Sequence, residues 1–153
     1  MARRPGSVTT FMSADPELVF VDTNVLVYAF EKTKSRKQHL AQHLLSALME
    51  EDRLRVSTQV LQELFVTLTR EAAEKCSVAE ALAVLDDLTA WPVVVVDYAA
   101  IRAAVELGVE ATLSFRDALI LVAAARSGAR ELYTEDLKHG QEILGIQVRN
   151  PFA

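Results

Sequence analysis

The sequence predicts a three-layer α/β/α domain with a central parallel sheet of about five strands. Three observations predict it. Short runs of Val, Leu and Phe without polar alternation, at residues 18–21 and 93–96, read as strands covered on both faces. Between such runs lie longer segments with apolar residues at helical spacing. The two kinds of segment alternate along the chain, which implies right-handed crossovers between parallel strands. A chain of 153 residues is long enough for one domain that buries a sizeable core without staples. Hydrophobic residues make up 51% and charged residues 24%, a balance that excludes fibrous and disordered classes.

Residues 18–21 form the first strand and 24–31 a short helix. Ser35 caps a helix over 36–50, whose apolar stripe is Leu40, Leu44, Leu45, Leu48 and Met49. Residues 53–57 are a short strand, and Ser57-Thr58 caps a helix over 59–73. Ser77-Val78-Ala79-Glu80 is a capping box opening a helix over 78–90, which Pro92 stops. The four valines at 93–96 are the clearest buried strand. Asp97 caps a helix over 98–107, which Gly108 ends or bends. Ser114-Phe115-Arg116-Asp117 is a second capping box, and the helix it opens is apolar nearly all round, from Ala118 to Ala125, as expected of a helix buried between other elements. Gly128 terminates it. Residues 131–134 and 146–148 are further strands, the last one at an edge. Residues 1–17 carry Arg3 and Arg4 but no apolar stretch, so they read as a loose extension rather than a signal peptide, and the folded domain as 18–153.

A single cysteine, Cys76, allows no intrachain disulfide, and together with the reading of residues 1–17 as no signal peptide it points to the cytoplasm; no apolar run is long enough to cross a bilayer. The net charge of −5 argues against a protein that binds nucleic acid mainly by neutralising phosphates. It does not argue against an enzyme whose acids hold metal ions: without four such carboxylates the charge is −1. Lys32, Lys34, Arg36 and Lys37 form a basic cluster that reads equally as a solvated helix start or a phosphate-binding patch.

In open parallel sheets ligands bind beyond the carboxyl ends of the strands, so the acids there are the candidates. Asp22 ends the first strand, where leaving water is costly without a compensating partner. Its plain alternative is a turn residue or helix cap. Asp97 also ends an all-valine strand, and its cap role suffices. Asp117 is the third helical residue of its capping box, yet it opens one of the most apolar helices in the chain. Glu63 falls off the stripe of Leu61, Leu64, Phe65 and Leu68, so periodicity alone makes it a surface residue. Asp136 follows a short strand, with Glu135 as its competitor. Carboxylates without accompanying Cys or His suit hard cations such as Mg²⁺ or Mn²⁺. The residues alone do not select four acids from twenty-one.

The segments 21–26, 57–63, 114–120, 132–137 and 139–152, in this order, resemble the PIN-domain ribonucleases and most closely the VapC-type toxins of bacterial toxin–antitoxin pairs. The resemblance covers nearly all the chain after about residue 18. It implies a PIN-like fold and a metal-dependent endoribonuclease with Asp22, Glu63, Asp117 and Asp136 as catalytic and metal-binding acids, and Asn24 and Thr134 in support. It further implies Mg²⁺ or Mn²⁺ as cofactor, an RNA substrate cut to a 5′-phosphate and a 3′-hydroxyl, a homodimer, and inhibition by a cognate antitoxin. Arg116 departs from the pattern, taking a position that often carries an aromatic residue; it could contact RNA phosphate, pair with a carboxylate or lie plainly on the surface. The competing reading is a non-catalytic PIN-like module that binds RNA or a partner protein.

Other signals carry less. His39 and His43 lie four apart on one helix, but Leu40 stands where a zinc-protease motif has Glu, and no third ligand is evident. Asp22-Thr23-Asn24 has similarity to phosphatases with an aspartate nucleophile, but Asn24 stands where those need a second acid. Trp91 reads as packing and Cys76 as an unreactive thiol.

Overall fold

The computed structural model describes residues 17–153; the predicted extension lies outside them except for its last residue. Strand β1 (Val19–Val21) is followed by α1 (Thr23–Phe30), α2 (Arg36–Glu50), β2 (Leu54–Ser57), α3 (Thr58–Val66), α4 (Val78–Leu88), β3 (Val93–Val94), α5 (Tyr98–Ala111), α6 (Phe115–Arg126), β4 (Glu131–Tyr133), β5 (Glu142–Ile143) and β6 (Ile146–Arg149). The predicted α/β class is observed. The strands form one sheet of six in the order β3-β2-β1-β4-β6-β5, parallel except for β5.

All three residues of β1 are buried, and β1 pairs with β2 through Val19 and Leu54 and with β4 through Val21 and Tyr133. Its neighbours come from opposite directions of the winding. The chain steps from β1 to β2 to β3 on one side, then returns to place β4 on the other. The switch point therefore lies between β1 and β4, the crevice where doubly wound sheets take ligands. Helices α5 and α6 pack on each other, as do α1 and α2, and α6 reaches β2, β4 and β6. Seven consecutive residues of α6, Ala118 to Ala124, are buried, as its apolar sequence requires.

Four elements differ from the sequence reading for identifiable reasons. The valine run yields only a two-residue strand whose residues are half-buried, and Val95 is 68% exposed. As an edge strand β3 has one neighbour, and the Val96 amide donates to the Thr58 hydroxyl at 3.1 Å instead of continuing the ladder. The helix over 59–73 is an α-helix only to Val66; a π turn spans Thr67–Glu71, where the Thr69 hydroxyl donates to the Phe65 carbonyl at 2.7 Å. Such side-chain bonding to the preceding turn bends helices. Gly108 does not end α5. A Cβ there would lie 3.1 Å from the Leu113 carbonyl oxygen, so glycine serves a close approach, and the helix runs on to Ala111, capped by Thr112 at φ 55°. Finally, β6 is not the edge: β5 pairs antiparallel outside it across a two-residue turn, Leu144-Gly145, with φ of 55° and 76°.

Positive φ at both turn residues is the geometry that Asn-Gly adopts readily and leucine does not. Leu144 is also 53% exposed, so its side chain gains little from packing. Replacing it with asparagine (Leu144→Asn) is expected to stabilise the fold by about 1 kcal/mol, read as a raised urea midpoint at unchanged slope.

Candidate active site

Asp22 is the innermost acid, 1% exposed at the end of β1. Its Oδ1 accepts from the Thr23 amide at 2.6 Å, and its Oδ2 from the Thr134 hydroxyl at 2.8 Å. Thr134 follows β4, the strand beside β1, and is itself fully buried. Its oxygen also accepts from the Asp136 amide at 3.1 Å and the Asn24 side chain at 3.4 Å. Asn24 in turn accepts from the Glu135 amide at 3.2 Å. The loop after β4 is thereby tied to the start of α1.

Glu63 lies on α3, where the stripe had made it a surface residue. Its side chain instead turns toward β1, 30% exposed, with Oε1 accepting from the Thr23 hydroxyl at 2.7 Å and Oε2 from the Gln59 amide at 3.3 Å. Thr23 and Gln59 are the site residues the sequence reading missed. Both are polar yet nearly buried, which one sequence does not reveal; only the position of Thr23 within Asp22-Thr23-Asn24 hinted at it. Gln59 Oε1 has no hydrogen-bond partner among the described residues. Asp117 sits in the first turn of α6. The Ser114 side chain accepts from its amide at 3.1 Å, so half of the predicted capping box forms, while its carboxylate faces the other acids. Asp136 is the most open, with its side chain 50% exposed. Glu135 is engaged elsewhere, paired with Lys37 and accepting from the Tyr28 hydroxyl. Asp97 caps α5 through the Ala100 amide at 2.8 Å and pairs with Arg126, away from this group.

Arg116 stands in the middle of the four acids. Its Nη2 reaches Asp22 Oδ1 at 2.7 Å and Glu63 Oε1 at 2.6 Å; its Nη1 reaches Asp22 Oδ2 at 3.1 Å, Asp117 at 3.2 Å and Asp136 at 3.5 Å; its Nε reaches Glu63 Oε2 at 3.2 Å. It grips both Asp22 and Glu63 bidentately, the strong form of the arginine–carboxylate pair. Of the three roles open to Arg116 in the sequence, pairing with carboxylates is the one the structure displays. Burial opposes the charge on Arg116, but the bonds to Asp22 and Glu63 outweigh it and raise its pKa. Burial likewise disfavours an ionised Glu63, yet the bonds from Arg116 and Thr23 prevail and lower its pKa. Asp136 goes the other way: burial and the nearby Asp22 charge raise its pKa more than Arg116 lowers it.

Two of the acids, Glu63 and Asp136, border a cavity of about 770 Å³ whose walls also include Asn24, Tyr28, Glu31 and Arg116. The donor set is all hard oxygen, which suits a divalent cation such as Mg²⁺ in kind. The space among the donors is nevertheless taken by the guanidinium, and among the described residues no three acids are gathered closely enough to hold an ion.

A mostly parallel sheet with four carboxylates at its switch point defines an α/β domain built around an acidic pocket. The PIN domain model matches residues 19–141, and the chain belongs to the PIN-domain family. Among solved structures, it is similar to a toxin–antitoxin complex from Klebsiella pneumoniae, with TM-score 0.65 and 22% identity over 87% of this chain and 97% of the other. It is similar also to Mycobacterium tuberculosis VapC20, a toxin that cleaves the sarcin–ricin loop, with TM-score 0.61 and 23% identity over 77% and 89%. A third is Rickettsia felis VapBC2 bound to promoter DNA, with TM-score 0.61 and 20% identity over 87% and 98%. At these identities the likeness establishes the fold. No curated protein matches the sequence.

The opposite shifts of Glu63 and Asp136 give opposite expectations for stability. Glu63 has a folded pKa below its unfolded value, so it contributes stability that is full at neutral pH. That contribution begins to fade as the pH falls below the ordinary glutamate value of 4.5 and is gone once the pH passes below the folded pKa. Asp136 has a folded pKa above its unfolded value and detracts from stability once it is ionised. Glu63→Gln is therefore expected to lower stability at neutral pH by about 1–2 kcal/mol and to flatten the loss on acidification. Asp136→Asn is expected to raise it. Thermal melts across the acid range check both.

Proposed function

We propose that this chain is a divalent-cation-dependent endoribonuclease of the VapC type, the toxin of a toxin–antitoxin pair. The observation that carries the reading is that Asp22, Glu63, Asp117 and Asp136, from four separate segments, all reach the one Arg116 guanidinium at the switch of the sheet. Family membership and the toxins and toxin–antitoxin complexes among the structural neighbours support it. In this reading those four carboxylates would hold Mg²⁺ or Mn²⁺, which would supply charge neutralisation at the scissile phosphate and activation of the attacking water.

The protein's own residues prepare the site. Asp22 is fixed by the Thr23 amide and Thr134, so its carboxylate needs little reorganisation. Asn24 and Thr134 hold the loop that carries Asp136 against α1. Thr23 and Gln59 aim Glu63 inward from a helix that would otherwise point it to solvent. The open cavity beside the acids admits an RNA strand, and the lysine–tyrosine–glutamate contact at its edge orders the rim. An antitoxin that covers this pocket, a homodimer and a cytoplasmic location complete the proposal. No helix among the described residues is long and apolar enough to cross a membrane.

One observation favours a second reading, the non-catalytic module: Arg116 neutralises the acids and occupies the place where a metal would sit. Cleavage separates the two. Purified protein with Mn²⁺ or Mg²⁺ is expected to cut RNA, and Asp22→Asn to lower the rate by about a hundredfold or more, since even second-layer partners of metal ligands are worth about 10–100-fold. Retained circular dichroism would show the variant folded. Equal cleavage by both proteins, or by neither, overturns the proposal.

A further inference from the structure

The acids of the pocket and a metal ion cannot be understood apart from Arg116. Every nitrogen of its guanidinium is committed to carboxylates, with contacts of 2.6–3.2 Å to Asp22, Glu63 and Asp117 and 3.5 Å to Asp136. A planar fork with all its donors spent on carboxylates has none left for an RNA phosphate. Nor is this a solvent arginine making an optional surface pair: it is two-thirds buried and sits against an aspartate that is 1% exposed. A divalent ion bound to the same oxygens would have to lie where the guanidinium now lies, because Asp22 offers both of its oxygens to Arg116. The two cations answer the same need, charge compensation for a buried carboxylate.

We propose that Arg116 is the resident cation of this pocket and competes with the divalent metal for the same carboxylates, so that metal enters only as the guanidinium withdraws. The inference rests on the metal-site reading above and adds a property of this chain to it. Because coupling is reciprocal, whatever Arg116 gains from the acids is lost from the metal's affinity. Without metal the arginine keeps four carboxylates from repelling one another. Arg116 lies in the first turn of α6 beside an open cavity, so its side chain can leave without unfolding the helix.

The test is metal binding, read independently of cleavage. Mn²⁺ titration by calorimetry is expected to show Arg116→Gln binding about tenfold tighter or more than the unmodified chain. In chelator, Arg116→Gln is expected to melt at a lower temperature and to recover with Mn²⁺, while the unmodified chain responds little. Should that variant fail to fold, the unmodified chain gives the answer by itself. The nitrogen-15 resonance of the Arg116 Nε–H group is expected to shift toward that of a solvated arginine as Mg²⁺ saturates the site. Equal affinity in both chains, or Mg²⁺ binding with an unmoved Arg116 resonance, overturns the competition and leaves the nuclease reading standing. Absence of binding in both chains, with both folded, overturns the metal site along with it.

Discussion

Burial of the Asp22 carboxylate is the constraint on which the rest of this structure turns. A carboxylate leaving water from the end of a fully covered strand costs several kcal/mol unless charge and hydrogen bonds replace the solvent. Here its partners come from three directions. The chain itself supplies the Thr23 amide, the neighbouring strand supplies Thr134, and α6 supplies Arg116. Each supplier must be placed to within a few tenths of an ångström, so satisfying one acid fixes the relative position of β1, β4 and the start of α6. Two of the other acids are then carried to the site by the elements that serve Asp22. Asp117 is the residue after Arg116, and Asp136 is two residues after Thr134.

The winding of the sheet makes this convergence possible. Because the chain reverses between β3 and β4, the end of β1 is flanked by two segments that diverge, leaving a crevice that side chains from α1, α3 and α6 can enter. Asp97 shows what happens without it. It ends a run of valines as Asp22 ends β1, but the strand within that run, β3, is at the sheet edge and only two residues long. Its side chain is 61% exposed and works as a helix cap paired with Arg126. Two similar local sequences thus have different chemistry because one lies at the switch and the other at the rim.

The features legible in the sequence were those set by neighbours along the chain. The buried strand before Asp22, the cap at Ser35 and the apolar α6 all depend on residues within one or two turns, and local pattern reports them. Glu63 was not legible in that way. Its inward turn depends on Thr23, 40 positions earlier, and Arg116, 53 positions later, and helical periodicity had assigned it to solvent. The resemblance to PIN-domain proteins singled it out where physics applied to one segment could not. The β5 strand was missed for a related reason. Its turn uses leucine at a left-handed position that the sequence rules reserve for asparagine or glycine. Ladder pairing on both sides of that turn holds the geometry against the preference.

Arg116 shows how a single side chain can set the state of a whole site. An aromatic residue at this position, as the resemblance led one to expect, could pack at the cavity wall but could not offset any of the four negative charges. The arginine offsets one and ties Asp22 and Glu63 into a fork on each side. The pocket it leaves still carries an excess of three negative charges over that one cation if all four acids are ionised, and at Asp136 burial first, then the Asp22 charge, raises the pKa. An added divalent charge would relieve more of it than the guanidinium does, but only by giving up hydrogen bonds already aligned. The balance between a stronger charge and a better-fitted one therefore depends on how completely the guanidinium is desolvated. At 33% exposure it keeps a path to water, so its release does not require the core to open.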